Sequence, residues 1–231
     1  MILEQFFEKE SSTYTYLIAD EQSAKAALID PVLELSEFYI EQLNARGLTL
    51  VYVLDTHTHA DHISANGKLR ELSGCTTYLG EESHSECIDK KFHHKQLIKL
   101  GNLNITALHT PGHTDDSYSF HVNNDKQDYL FTGDTLLING SGRTDFQQGD
   151  AGTQYHSIFD TLLSYPDSSI VLPGHDYHGQ TQSTVANERA NNPRLQVKNK
   201  EAYIELMNNL KLPNPKLMDI AVPANQACGK L

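Results

Sequence analysis

Thr56-His57-Thr58-His59-Ala60-Asp61-His62 places three imidazoles and a carboxylate next to one another, immediately after the short apolar run 50–54. Imidazole nitrogens and carboxylate oxygens are the ligands that zinc, iron and manganese use in proteins. An ordinary loop gains nothing from crowding groups that are costly to remove from water. The stretch therefore predicts a metal site at the end of a strand. The alternative interpretation is a histidine-rich loop in solvent.

Further candidate ligands lie downstream, each after a strand-like run and a turn. They are His113, Asp134 and His175. Glycine directly precedes each of them, and a glycine lets the backbone approach a crowded centre closely. We expect these side chains to lie close to the histidine cluster.

Length and charge limit the classes of protein to consider. The chain has 231 residues and no linker, repeat or low-complexity tract, so we predict one domain over residues 1–231. The formal net charge of −12 argues against a nucleic-acid partner, because binding phosphates needs clustered lysine and arginine.

Cysteine usage and the first residues bear on location. Cys75, Cys87 and Cys228 form no CxxC motif and no even-numbered disulfide framework, which is typical of thiols in a reducing compartment. Residues 1–9 contain two acids and no long apolar core, unlike a secretory signal or a transit peptide. No apolar run is long enough to cross a bilayer. The sequence predicts a soluble cytoplasmic protein with no membrane partner.

The apolar pattern predicts strands and helices that alternate along both halves of the chain. Strands are predicted at 13–18, 26–29, 48–54, 76–79, 103–108, 118–122, 129–132 and 169–172. Helices are predicted at 35–43, about 61–71, 155–163, 181–190 and 201–210, with Leu72 facing inward beyond the second. This order favours a pair of sheets covered by helices on both outer faces.

The ligand pattern resembles the metallo-β-lactamase superfamily. The matching residues, in order, are His57, His59, Asp61, His62, His113, Asp134 and His175. The resemblance implies an α+β fold, an αββα sandwich with metal at one edge of its sheets.

A narrower resemblance, to the persulfide dioxygenases, rests on segments 142–147, 175–179 and 221–225. It implies one Fe(II) per chain, bound by His57, His113 and Asp134. Two imidazoles and one carboxylate on one face of an iron leave open positions, as in non-haem oxygenases. The implied reaction oxidises glutathione persulfide with O2 to sulfite and glutathione, and the resemblance also implies a homodimer.

The remaining candidate ligands would then have no second metal to bind. For His59 and Asp61 we favour a role in orienting the ligands, since such partners support metal affinity. For His62 and His175 that role and mere inheritance from a dinuclear ancestor stay equally open.

Candidate substrate contacts come from the same segments. Arg143 could hold a glutathione carboxylate through its planar guanidinium, or form a structural pair with Asp145. Tyr177 could point its phenol into the catalytic pocket or pack in the core. Asn225 and Cys228 are expected near the substrate, although a lone cysteine is more often an inert small side chain.

Two rival functions remain open. A dinuclear zinc hydrolase resembling glyoxalase II would use the same ligands to split glutathione thioesters. The Arg143 segment and the lack of an evident C-terminal basic cluster argue against it. A metal-binding sensor without turnover would be expected to have a degraded ligand set, whereas every ligand is present here.

Overall fold

The computed structural model describes residues 1–213 and 217–229 of the chain. The first sheet comprises β1 (Ile2–Glu8), β2 (Thr13–Asp20), β3 (Lys25–Ile29), β4 (Thr49–Leu54), β5 (Thr76–Gly80) and β6 (Lys90–Phe92). The second comprises β7 (Leu97–Leu100), β8 (Leu103–His109), β9 (Tyr118–Asn123), β10 (Asp128–Gly133), β11 (Ile170–Pro173) and β12 (Ser183–Thr184). The helices are α1 (Ser36–Ala45), α2 (Asn66–Ser73), α3 (Ala151–His156), α4 (Val185–Asn191), α5 (Lys200–Asn208) and α6 (Met218–Gln226).

Strand order places several strand ends at one edge of the fold. The first sheet runs β1-β2-β3-β4-β5-β6 and the second β12-β11-β10-β9-β8-β7. Strands β3 to β6 pair in parallel, as do β10 and β11, whereas the other pairs are antiparallel. Because parallel strands end at the same edge, the loops that follow β4, β10 and β11 can converge there.

Large apolar side chains fill the space between the two sheets. Tyr16 and Ile18 of β2 point into this layer and meet Phe120 and Phe131 of the second sheet. The Tyr16 and Phe131 rings pack edge to face with centroids 5.1 Å apart. Each such buried side chain contributes roughly 1.5–3 kcal/mol. This layer makes the two sheets a firm support for the loops at their edge.

Helices cover both outer faces. On the first sheet Leu17 and Leu28 pack against Tyr39 and Leu43 of α1. On the second sheet the buried set that includes Leu130 packs against α3, α5 and the irregular turns after α3. The αββα sandwich that the resemblance implied is therefore confirmed.

Most predicted elements are present, but their bounds differ in places. The helix predicted at about 61–71 begins only at Asn66, because the backbone of Ile63 and Ala65 bonds to the loop before α1 instead of forming a first helical turn. Leu72 is 41% exposed, so the prediction that it faces inward is wrong. The helix predicted at 155–163 begins earlier, as α3 at Ala151. After His156 the chain continues as one π-helical segment and one short 3-10 helix instead of an α-helix. Strands β1, β6, β7 and β12 and helix α6 were not predicted individually. The helix predicted at 181–190 begins only at Val185, because Ser183 and Thr184 form β12 beside β11.

The cysteines differ from the expectation that they form no disulfide. Cys87 and Cys228 are joined by a disulfide with a Cα–Cα distance of 6.0 Å, whereas Cys75 is free and buried. The bond ties the end of α6 to the loop between β5 and β6. Among the described residues, none of the helices combines the length and apolar character needed to cross a membrane.

Candidate metal centre

The predicted ligands come together at the edge where the strand loops converge. His57, His59, Asp61 and His62 follow β4, and His113 follows β8. Asp134 comes directly after β10. His175 comes two residues after β11 and forms an isolated bridge with Thr13 at the start of β2.

His57, His113 and Asp134 form a compact donor set. Each offers one ligand atom, and these atoms lie within 4.8 Å of one another. Nε2 of His113 is 3.6 Å from Oδ2 of Asp134, too far for a hydrogen bond but suited to two atoms that share one ion. Two imidazoles and one carboxylate fit the donor set of a non-haem Fe(II) site.

Hydrogen bonds fix which ring nitrogen of each histidine faces the centre. Nδ1 of His113 is 2.8 Å from the carbonyl oxygen of Arg143, which can only accept, so Nδ1 carries the proton. The Thr56 hydroxyl donates to Asp30 at 2.9 Å and accepts from Nδ1 of His57 at 2.9 Å. In both rings Nδ1 is engaged by these bonds, which leaves Nε2 as the nitrogen that would bind a metal.

His175 lies between two carboxylates. Its Nδ1 is 2.6 Å from Oδ1 of Asp134 and its Nε2 is 2.8 Å from Oδ2 of Asp61. Burial opposes a charge on this ring, but Asp134 and Asp61 raise the pKa of His175 well above its ordinary value. The ring therefore donates from both nitrogens and leaves Oδ2 of Asp134 without a bond to His175. In this arrangement His175 fixes the orientation of the Asp134 carboxylate.

The charges around the ligands favour their deprotonated forms. Burial, reinforced by His59 and His113, holds the pKa of His57 well below its ordinary value, so the ring is neutral. Burial works against ionisation of Asp134, but His175 outweighs it and lowers the pKa of that carboxyl. A neutral imidazole and an ionised carboxylate are the forms that bind a metal.

Asp30 forms hydrogen bonds to the histidine cluster. It was not identified from the sequence. Its Oδ1 accepts from the backbone N–H of Thr56 at 2.7 Å and lies 3.1 Å from Nε2 of His59. Burial disfavours the charged ring, but Asp30 and the neighbouring Asp55 raise the pKa of His59 to about 9. Its position at the end of β3, beside β4, is the signal that could have identified it.

A second group of candidate ligand atoms lies beside the first. His59, Asp61 and His62 each offer one atom within 4.8 Å of the others. Nδ1 of His59 and Nε2 of His62 are buried and have no hydrogen-bond partner among residues 1–213 and 217–229. Buried polar atoms of this kind call for a partner.

A cavity of about 530 Å³ opens beside the candidate metal ligands. That volume suits a small-molecule site. Its lining includes Asp61, His113, Asp134, His175, Tyr177, the stretch 137–143, Arg194, Leu212 and Pro213. Tyr177 is 68% exposed and stacks on His175 with ring centroids 6.2 Å apart, which excludes a place in the core.

Arg143 lies in the cavity wall, held by neighbouring groups. Its Nε and Nη2 donate to the two carboxylate oxygens of Asp145 at 2.6 and 2.8 Å. Its Nη1 donates to the carbonyl of Pro213 at 2.6 Å, and its guanidinium carbon is 4.3 Å from the ring centre of Phe146. The structural pair with Asp145, one of the two readings of the sequence, is therefore present.

Asn225 and Cys228, predicted near the substrate, lie outside the lining of the cavity. The Asn225 side chain is buried, donates to the carbonyls of His59 and His62 at 2.9 Å, and accepts from the N–H of Ser64 at 2.8 Å. The Asn225 side chain of α6 therefore holds the loop 59–64 in place through hydrogen bonds to its backbone. Cys228 is buried in the disulfide with Cys87.

Close backbone approach explains two glycines in this region. A Cβ at Gly142 would overlap the carbonyl oxygen of Asp134, and one at Gly174 would lie 2.9 Å from Oδ1 of Asp134. A side chain at either position would displace Asp134.

The chain matches one family model and is most fully covered by proteins named as persulfide dioxygenases or ETHE1 among the relatives described here. Residues 9–175 match the family model described as the metallo-beta-lactamase superfamily. The chain is 45% identical to mouse (Mus musculus) "Persulfide dioxygenase ETHE1, mitochondrial" over 99% of this chain and 89% of that protein. The crystal structure of ETHE1 from Myxococcus xanthus is 47% identical, covers 100% of both chains and superposes with a TM-score of 0.96.

Hydrolases of the same superfamily are more distant. A "Probable hydroxyacylglutathione hydrolase" of Schizosaccharomyces pombe is 34% identical over 74% of this chain and 66% of that protein. The similarity to the dioxygenases is thus both higher and more complete.

Proposed function

Because this chain belongs to the metallo-beta-lactamase superfamily and, within it, to the persulfide dioxygenase family, we infer that it oxidises glutathione persulfide with O2 and water to sulfite and glutathione. The observation that carries the inference is 45% identity to a persulfide dioxygenase over 99% of the chain. The reaction balances when one persulfide, one O2 and one water give one glutathione and one sulfurous acid.

We propose that the metal is a single Fe(II) per chain, held by Nε2 of His57, Nε2 of His113 and Oδ2 of Asp134. The donor set, the protonated Nδ1 of His113 and the position of His175 on the other oxygen of Asp134 support this choice. Bound there, Fe(II) would supply the redox chemistry between O2 and the terminal sulfur of the persulfide.

In this scheme the side chains around the proposed ligands hold those ligands in position and contact the substrate. Thr56, the Arg143 carbonyl and His175 hold the ligands in one orientation, and Asp30 does the same for His59. Such partners commonly change metal affinity 10- to 100-fold when removed. Tyr177 stacks on His175 and lines the cavity, which supports a contact with the substrate beside the proposed ligands and a part in catalysis.

The second candidate function, hydrolysis of a glutathione thioester at a dinuclear zinc site, is favoured by one observation. His59, Asp61 and His62 form a second donor set with unpartnered buried nitrogens. Against it, both nitrogens of His175 already bond to carboxylates, so His175 is not free to complete that site. The partial and weaker similarity to the hydrolases points the same way.

One pair of assays separates the two functions. Purified protein is analysed for metal by mass spectrometry and then given glutathione persulfide in an oxygen electrode, with S-lactoylglutathione as the parallel substrate. Iron with O2 uptake and sulfite supports the dioxygenase. Zinc with thioester cleavage and no O2 uptake supports the hydrolase and would overturn the proposal.

Location and assembly stay predictions. The mouse relative carries the word mitochondrial in its name, and the Cys87–Cys228 disulfide removes two of the three thiols on which the cytoplasmic prediction rested. The homodimer can be checked by light scattering.

A further inference from the structure

The disulfide between Cys87 and Cys228 lies next to the loop that carries candidate metal ligands. Cys228 comes just after α6, and Cys87 lies in the loop between β5 and β6. Asn225, in the last turn of the same helix, forms its three hydrogen bonds to the backbone of the loop 59–64. One short segment of chain therefore contains both the covalent bond and the support of this loop.

Helix α6 has little apolar packing to hold its position. Its buried residues are Ala221, Ala224 and Asn225, and an alanine side chain has only a small apolar area to bury. The larger side chain of Ile220 is 52% exposed. A helix of nine residues is not stable on its own in water, so the place of α6 depends on the bonds that it makes with the rest of the protein.

The end of α6 is held closely against its neighbours while the disulfide is present. The hydroxyl of Ser85, in the same loop as Cys87, donates to the carbonyl of Gln226 at 3.1 Å. A Cβ at Gly67 of α2 would overlap the carbonyl oxygen of Cys228, so α2 and Cys228 are in direct contact. Cys228 has a φ of 57°, in the left-handed region that is unfavourable for a residue with a side chain. The bond to Cys87 opposes relaxation of this backbone.

The two cysteines are not equally open to solvent. Cys228 is buried, whereas Cys87 is partly exposed, so a small thiolate can reach the bond from the Cys87 side. Attack on Sγ of Cys87 forms a mixed disulfide and releases the thiolate of Cys228, which takes up a proton. A second small thiol then attacks the mixed disulfide. Two small thiols are thereby oxidised to one disulfide, and the protein disulfide is reduced to two thiols.

We propose that the Cys87–Cys228 disulfide is a redox-sensitive tether of the loop 59–64, opened by a small thiol such as glutathione. Reduction frees the end of α6, and Asn225 then holds the carbonyls of His59 and His62 less firmly. Because His57 lies on the same stretch of chain, metal is released faster from the candidate centre. The protein thus retains metal better under oxidising conditions. A metal at this centre is required for the effect, whereas the dioxygenase reaction is not.

The first test measures the transfer of iron from the loaded protein to a ferrous chelator in the absence of O2. Wild type is incubated with glutathione or with S-methylglutathione, the same peptide without a free thiol. Alkylation and mass spectrometry report the state of both cysteines. Since groups that orient metal ligands commonly change metal affinity about 10- to 100-fold, we expect glutathione to speed release about 10-fold and S-methylglutathione to leave it unchanged.

Two cysteine variants supply the controls. Cys87→Ser should release iron at the fast rate with either peptide. Cys75→Ala, which loses the free thiol but keeps the disulfide, should respond as wild type does. Reduced wild type that releases iron no faster than oxidised wild type would overturn the proposal, and so would a disulfide that glutathione leaves intact.

Hydrogen exchange of oxidised and reduced wild type gives a second readout that needs no variant. Loss of the disulfide lowers global stability and therefore protection everywhere, but a freed helix adds a local opening. Reduction should lower the protection of 59–64 and α6 more than that of β10. An equal change in all three would show a general loss of stability and would overturn the proposal. Neither readout involves O2 uptake, so the dioxygenase assignment can fail without affecting this result.

Discussion

Nδ1 of His175 lies 2.6 Å from Oδ1 of Asp134, so one oxygen of the proposed carboxylate ligand is occupied by a neighbouring ring. The carboxylate can then turn only its other oxygen to the centre. This contact joins the ends of two parallel strands, β10 and β11, at the candidate metal centre.

Replacing His113 or Asp134 by alanine should abolish iron binding and sulfite production together, because each supplies one of the three proposed ligand atoms. Iron content and sulfite are measured on the same preparation. His156→Ala is the control, since His156 is exposed and pairs with Asp160. Normal iron content in either ligand variant would show that the assignment of ligands is wrong.

His175→Ala should weaken iron binding without abolishing it. The variant keeps all three proposed ligands but leaves Oδ1 of Asp134 without its donor. We expect a loss of about 10- to 100-fold in iron affinity, measured by competition with a chelator. Affinity equal to that of wild type would contradict the positioning role. A complete loss of iron would make His175 a ligand.

Arg143→Ala should lower the free energy of unfolding more than Asp145→Ala does, because it removes the shared ion pair together with the hydrogen bond to Pro213 and the contact with the Phe146 ring. Asp145 is 57% exposed at its side chain, so solvent limits the pair to about 1 kcal/mol. The double variant should cost no more than Arg143→Ala alone in urea unfolding. If Arg143→Ala raised the KM for glutathione persulfide while Asp145→Ala left it unchanged, the result would instead favour direct contact between Arg143 and glutathione.

Asn225→Ala should destabilise the loop that carries the histidines. The variant loses three buried hydrogen bonds to residues 59–64, worth roughly 2–4 kcal/mol together. We expect lower stability and weaker iron binding, with KM unchanged in the iron-loaded fraction. Asn209→Ala, an exposed asparagine at the end of α5, is the control. A change in KM without a change in stability or iron binding would instead indicate that Asn225 contacts the substrate.

Cys87→Ser should destabilise the protein by roughly 2–4 kcal/mol, because the lost disulfide closes a long loop in the unfolded chain. Reductant should destabilise wild type equally and leave the variant unchanged. Urea unfolding with and without reductant gives both values. Alkylation of Cys87 and Cys228 in unreduced, unfolded wild type would contradict the bond.

Local sequence signals predicted which residues gather at the metal centre. They did not predict contacts between residues that are far apart in the chain. The histidine cluster and the glycines before His113, Asp134 and His175 mark positions where a strand ends and the backbone crowds a site. The same signals could not show that Asn225 forms hydrogen bonds to the backbone of the loop 59–64. That contact joins residues more than 160 positions apart and depends on how α6 packs.

The disulfide has the same explanation. Cys87 and Cys228 are 141 residues apart, and no spacing rule links them. The start of α2 was misjudged because the helical pattern continues through residues that the metal loop holds in another conformation.

The most direct test of the account is a titration of metal-free protein with Fe(II) under anaerobic conditions, followed by sulfite formation from glutathione persulfide and O2. A single ferrous ion held by His57, His113 and Asp134 predicts that activity rises linearly, reaches its plateau at one iron per chain, and is absent from the zinc-loaded protein. A plateau at two irons per chain, or undiminished sulfite production with zinc alone, would contradict it.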